Sequence, residues 1–76
     1  MDYLQQKATK RSVTIAGHAT SITLEDPFWS ALKAIAAKRG QSLHGLIAEI
    51  DDAKGDNNLS SALRLFVLHN VLSSPQ

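Results

Sequence analysis

The sequence predicts a mainly α-helical domain that begins with a short β ribbon and is completed by a second copy of itself. Three observations carry that expectation. First, Thr20-Ser21-Ile22-Thr23-Leu24 alternates polar and apolar residues, the period-2 pattern of a half-buried strand. Second, this run feeds straight into an amphipathic helix that opens at Asp26-Pro27 and stops at Gly40, and another helix opens at Ser42. Third, one strand and two helices of this size cannot cover their own apolar faces. Two copies are therefore expected to pair their strands into a ribbon, as a homodimer. A two-stranded ribbon is one of the few protein shapes that fits a DNA major groove.

The elements follow in order. Residues 1–9 have no period and few apolar side chains, and are read as a flexible tail. The domain is placed at 10–72, with 73–76 as a frayed C-terminus. Arg11-Ser12-Val13-Thr14-Ile15 is a β-branched alternating run, an extra N-terminal strand. Val13 and Ile15 are odd-numbered, whereas Ile22 and Leu24 are even. In one straight strand they would point to opposite faces. A two-residue turn at Gly17-His18, pairing Val13 with Ile22 and Ile15 with Thr20, brings them to one face. Glycine at the first turn position suits a type II′ hairpin; a bulge near Gly17 would also correct the parity.

In the first helix Asp26 is expected to cap and Pro27 to take the first helical position. Phe28, Leu32 and Ile35 form its stripe, with Trp29 and Ala36 beside it. Lys38 and Arg39 suit the last turn, and Gly40 the left-handed stop. The second helix takes Ser42 as cap and runs to about Ala53. Leu43, Leu46, Ile47 and Ile50 give it one narrow apolar face. Gly45 inside it costs about 1 kcal/mol against alanine, which suggests close helix packing. Asn58 caps a third, C-terminal helix from Leu59 to about Leu72. That helix has two apolar stripes, Leu59, Leu63, Phe66 and Val67 on one side and Leu65, Leu68 and Leu72 on another. A helix apolar on so many sides is buried on more than one. The partner subunit is expected to cover Ile22, Leu24, Leu46, Ile50, Phe66 and Leu68.

Seventy-six residues allow one domain, and a domain this small is commonly helped by oligomerisation. There is no cysteine, which excludes a disulfide framework and a thiolate metal site. No apolar run approaches the roughly 18–20 residues of a membrane span, and the polar start has no secretion signal. A cytoplasmic protein without membrane contact is expected. The net charge is +1, unevenly distributed. Residues 1–40 hold six basic against three acidic side chains, while residues 41–76 hold two against four. The basic half contains the strands, which suits a polyanion at the sheet end.

Other candidates weigh less. His18 in a turn reads as a solvated loop residue. His44 near Ser42 lacks an orienting third group and an oxyanion site, so catalysis is not expected. Asp51, Asp52 and Asp56 around Gly55 lack the alternating ligand pattern of a calcium loop, so neither a metal nor another cofactor is expected. Trp29 reads as core.

Strand, helix, Gly-x-Ser, helix resembles the ribbon-helix-helix fold of Arc- and MetJ-type repressors, over Thr20 to about Ala53. A closer similarity runs from Lys10 to Leu72. It is carried by Lys10-Arg11-Ser12-Val13-Thr14-Ile15-Ala16-Gly17-His18, Thr20-Ser21-Ile22-Thr23-Leu24-Glu25, Phe28-Trp29, Ser42-Leu43 and Asn58-Leu59-Ser60-Ser61-Ala62-Leu63-Arg64. These residues resemble a group of small bacterial ribbon-helix-helix proteins. The resemblance implies an intertwined homodimer that binds DNA, such as a transcriptional regulator. It implies base contacts from the outward strand residues Ala19, Ser21 and Thr23. It implies phosphate contacts from Ser42 and Leu43 at the start of the second helix, and added charge from Lys7, Lys10 and Arg11. The alternative is a dimeric protein-interaction module with the same fold and an unidentified protein partner. Such a partner would meet a broad sheet faced by Ser12, Thr14, Ser21 and Thr23.

Overall fold

The computed structural model describes residues 3–73. Met1, Asp2 and residues 74–76 lie outside the described residues, and with them the outer parts of the expected tail and frayed end. After a single 3₁₀ turn at Tyr3–Gln5, two antiparallel strands follow, β1 (Ala8–Ile15) and β2 (His18–Glu25). Three helices complete the chain, α1 (Asp26–Lys38), α2 (Leu43–Ala53) and α3 (Leu59–Ser73). The first strand thus starts two residues before the expected domain boundary.

The hairpin forms, one residue earlier than the sequence reading places it. Ile15 pairs with His18, Val13 with Thr20 and Arg11 with Ile22, so the turn is Ala16-Gly17. Both turn residues have positive φ, 52° at Ala16 and 82° at Gly17. Positive φ at both central positions marks a type I′ turn, whose twist matches that of the strands. Glycine takes the second turn position, and Ala16 carries the left-handed strain. The parity argument survives the shift, because odd β1 positions still share a face with even β2 positions. Val13, Ile15, Ile22 and Leu24 all lie beneath the sheet, at most 9% exposed.

The helices close that face. Leu32 and Ala36 of α1, Leu46, Ile47 and Ile50 of α2, and Ala62, Leu63 and Val67 of α3 join the strand residues in one core. Among the described residues no polar side chain is buried. Each fully covered Leu or Ile contributes about 1.5–3 kcal/mol relative to an exposed one. The single chain therefore covers far more of its own apolar surface than a lone strand and two helices would. The second strand and the third helix supply the difference. Ile22, Leu24, Leu46 and Ile50, expected against a partner, are already buried within the single chain.

The helix ends follow the predicted punctuation with one exception. Gly40 turns left-handed at φ 69°. The Ser42 Oγ accepts from the Gly45 N–H at 2.9 Å, and Asn58 Oδ1 accepts from the Ser61 N–H at 3.1 Å. Asp26 does not cap α1. Glu25 holds the N-cap position without a side-chain cap bond, and Asp26 inside the first turn pairs with Arg11. At Gly45 the near neighbour is the cap and not another helix. A Cβ there would stand 2.9 Å from the Ser42 Oγ.

Candidate nucleic-acid interface

Alternation along the hairpin decides what the sheet shows to solvent. Apolar residues at odd β1 and even β2 positions turn inward, so even β1 and odd β2 positions turn outward. The outward set is Lys10, Ser12 and Thr14 on β1, with Ala19, Ser21 and Thr23 on β2, all exposed. Cross-strand partners are Lys10 with Thr23, Ser12 with Ser21 and Thr14 with Ala19. The fold thus gathers Lys10, Ala19, Ser21 and Thr23 on one surface, and adds Ser12 and Thr14. From Lys10 through the turn to Thr23, the surface contains no acidic residue.

Arg11 is not on that surface. It has the parity of Val13 and lies on the core side opposite Ile22, its side chain 20% exposed. Its guanidinium lies over the Trp29 ring, 4.7 Å from the centroid, and pairs with Asp26. Trp29 is half-buried at the core margin and serves as the platform for this cation. The pair ties β1 to the start of α1. Arg11 is thus a structural residue here, where the sequence reading expects a charge offered to DNA.

Ser42 and Leu43 belong to another element, the α1–α2 junction. Ser42 is exposed and its Oγ is engaged by the Gly45 N–H; Leu43 is half-buried against the core. The Leu46 N–H bonds to the Ser42 carbonyl at 3.0 Å. Among the described residues the N–H groups of Leu43 and His44 have no acceptor. Two free donors at a helix N-terminus attract an anion. Glu49 close by is held by Gln41 at 3.1 Å and Arg39 at 3.5 Å.

The outer edge of β2 holds contacts the sequence reading missed. Ser60 Oγ accepts from the Thr23 N–H at 3.1 Å, and Arg64 donates to the Thr23 carbonyl at 3.2 Å. Arg64 Nε also donates to Glu25 Oε1 at 2.9 Å. That bond, then the backbone hydrogen bond of Glu25, holds the Glu25 carboxyl below its ordinary value; burial opposes them. A signal was present, because Arg64 is the only Lys or Arg in α3.

The chain matches the family model of the ribbon-helix-helix domain over residues 8–71. It belongs to the ribbon-helix-helix family. The match spans both strands and all but the last two residues of α3. Members of this family are generally DNA-binding transcription regulators, typically without enzymatic activity. Neither a curated protein nor a solved structure gives a significant match to the chain. Among the described residues no helix is long and apolar enough to cross a membrane.

Proposed function

We propose that this ribbon-helix-helix chain is a cytoplasmic transcription regulator. Two copies join their β2 strands and set the outward sheet face in the DNA major groove. The observation that carries the reading is that face itself. It is uncovered, free of acidic side chains between Lys10 and Thr23, and lined with hydroxyl donors.

The hairpin dictates how such a dimer would sit. Two joined hairpins make four strands, with the outer ones about 14 Å apart at a spacing of about 4.8 Å. The major groove is roughly 12 Å wide, so only the central pair enters. Ala19, Ser21 and Thr23 then face base edges. Lys10, Ser12 and Thr14, one strand further out, meet the phosphate rims. The free Leu43 and His44 N–H groups offer a second phosphate contact. Serine and threonine bond to any base, so the affinity comes mainly from phosphates and sequence discrimination is low.

A dimer is supported by what one subunit leaves in water. Leu65, Leu68, Val71 and Leu72 of α3 are 51–74% exposed. Residues 60, 64, 68 and 71 lie on one side of the helix. Since Ser60 and Arg64 reach the β2 edge, Leu68 and Val71 extend the same surface. Phe66 is half-buried on the flank facing α2.

Fluorescence anisotropy of a labelled random duplex of about 20 base pairs, at about 50 mM and then 200 mM salt, tests the proposal. Micromolar binding that collapses at the higher salt is the expected result. No binding at the lower salt overturns it and leaves the protein-interaction module, with the broad hydroxyl-lined sheet as its docking face.

A further inference from the structure

A two-residue hairpin fixes which backbone groups are free. Ile15 and His18 close the turn as a hydrogen-bonded pair, and such pairs then alternate along the strands. Thr20 and Ile22 therefore bond to β1. Ala19, Ser21 and Thr23 point their N–H and C=O groups away from β1, along the outer edge of β2. The contacts of Thr23 agree, because its N–H and its carbonyl are both met from outside the sheet, by Ser60 and Arg64. On this stretch of edge only Ala19 and Ser21 still have both groups unused among the described residues.

We infer that α3 sets the register of the ribbon: Ser60 and Arg64 occupy the Thr23 backbone, so a second copy pairs through Ala19 and Ser21, with Thr20 on the dimer axis. This rests on the dimer proposed above. The argument is a count of partners. Two identical antiparallel strands pair about a two-fold axis. An axis at Thr20 matches Ala19 with the partner's Ser21 and Ser21 with the partner's Ala19, so all free groups are used. An axis at Ser21 would set Ala19 against the partner's Thr23, whose donor and acceptor are taken. An axis at Ala19 would set Ser21 against the partner's Gly17, inside the turn. The edge of β1 is the competing surface. Its outward groups belong to Lys10, Ser12 and Thr14, and lysine on an edge strand discourages pairing.

The chain has no cysteine, so single cysteines report the register directly. Facing non-hydrogen-bonded residues lie about 4.5 Å apart at Cα and hydrogen-bonded ones about 5.5 Å, both within disulfide reach. Ala19→Cys, Thr20→Cys, Ser21→Cys and Ser12→Cys are each oxidised as the full chain, and covalent dimer is read on a denaturing gel. Sedimentation of each reduced protein is run beside them. Thr20→Cys is expected to give the dominant cross-linked dimer. Adding Ser60→Ala, alone or with Arg64→Ala, frees the Thr23 edge, and cross-linking is expected to spread to Ser21→Cys. A dimer that cross-links best through Ser21→Cys, Ala19→Cys or Ser12→Cys, or through none, overturns the register and leaves the dimer standing. A Thr20→Cys pattern unchanged by Ser60→Ala and by the double variant overturns the role of α3. A reduced protein that sediments as a monomer removes the dimer itself.

Discussion

Arg64 joins three elements through one residue, Glu25. Its guanidinium bonds to the Glu25 carboxylate at 2.9 Å and to the Thr23 carbonyl at 3.2 Å. Glu25 is both the end of β2 and the N-cap position of α1. The third helix is thereby fastened to the joint where the ribbon becomes a helix. Both side chains are about 30% exposed, at 32% and 27%. Arg64→Ala is expected to destabilise the fold by about 1–2 kcal/mol, between an exposed ion pair and a shielded charged hydrogen bond. Chemical denaturation measures it.

The same pair sets a pH dependence. Glu25 is held below its ordinary value of 4.5 in the folded state. A carboxyl lowered by folding stabilises above its unfolded value, and the contribution is lost as pH falls through the folded value. Stability is expected to decline below about pH 4.5, in part through this group. Glu25→Gln should flatten that part of the acid limb and leave neutral pH less stable than wild type. Denaturant midpoints from pH 7 down to 3 check both halves. An acid limb unchanged in Glu25→Gln contradicts the assignment.

Arg11 and Lys10 are neighbours with opposite expected roles. Arg11 is pinned between Trp29 and Asp26, so Arg11→Ala should cost about 1–2 kcal/mol through the lost cation–π and ion-pair contacts. It should also shift the emission of Trp29, the only tryptophan. The salt slope of DNA binding should not change. Lys10→Ala should spare stability and reduce that slope by about one for each subunit engaged. Salt titrations of both variants separate the two roles, and a reduced slope in Arg11→Ala would show that the arginine leaves Trp29 to reach DNA.

The turn holds the one non-glycine residue with positive φ among those described, Ala16 at 52°. A left-handed alanine costs roughly 1–2 kcal/mol. Asparagine tolerates that region and, before glycine, gives the preferred type I′ pair. Ala16→Asn is expected to raise stability by about 0.5–1 kcal/mol. Thermal unfolding tests it, and a lower midpoint would contradict the turn assignment.

Local signals made the fold legible. Strand alternation, Gly40, and the caps Ser42 and Asn58 are each written within a few residues, and all are found in place. The parity of Arg11 also sets it with Val13 and Ile15, but a basic pair beside a proposed ribbon reads as a DNA arm. Only Trp29 and Asp26, brought in by α1, show what it binds. Turn placement failed because Gly17 can serve either turn position, and the choice rests on a strained Ala16. Ser60 and Arg64 on the Thr23 edge join residues about forty positions apart, which no local pattern reveals. The sequence counts the apolar faces of Ile22, Leu24, Leu46 and Ile50 without showing how far β1 and α3 close over them, so a partner is expected where the chain's own elements supply the cover.

Leu68 tests where the second copy sits. It is 51% exposed and lies outside the subunit core. Its charge can therefore be changed while the single-chain fold is retained. It shares a side of α3 with Ser60 and Arg64, which hold the β2 edge. Leu68→Lys places a charge on the exposed apolar side of α3 and removes apolar contact there. The expected result is a weaker dimer with an unchanged far-ultraviolet spectrum. Its melting temperature should fall and should lose its dependence on concentration as the dimer is lost. On the proposed function DNA engagement needs both hairpins, so duplex affinity should fall with dimer population. Sedimentation equilibrium and anisotropy on the same samples test that coupling. A variant that stays dimeric and binds DNA as before would place the interface on another face.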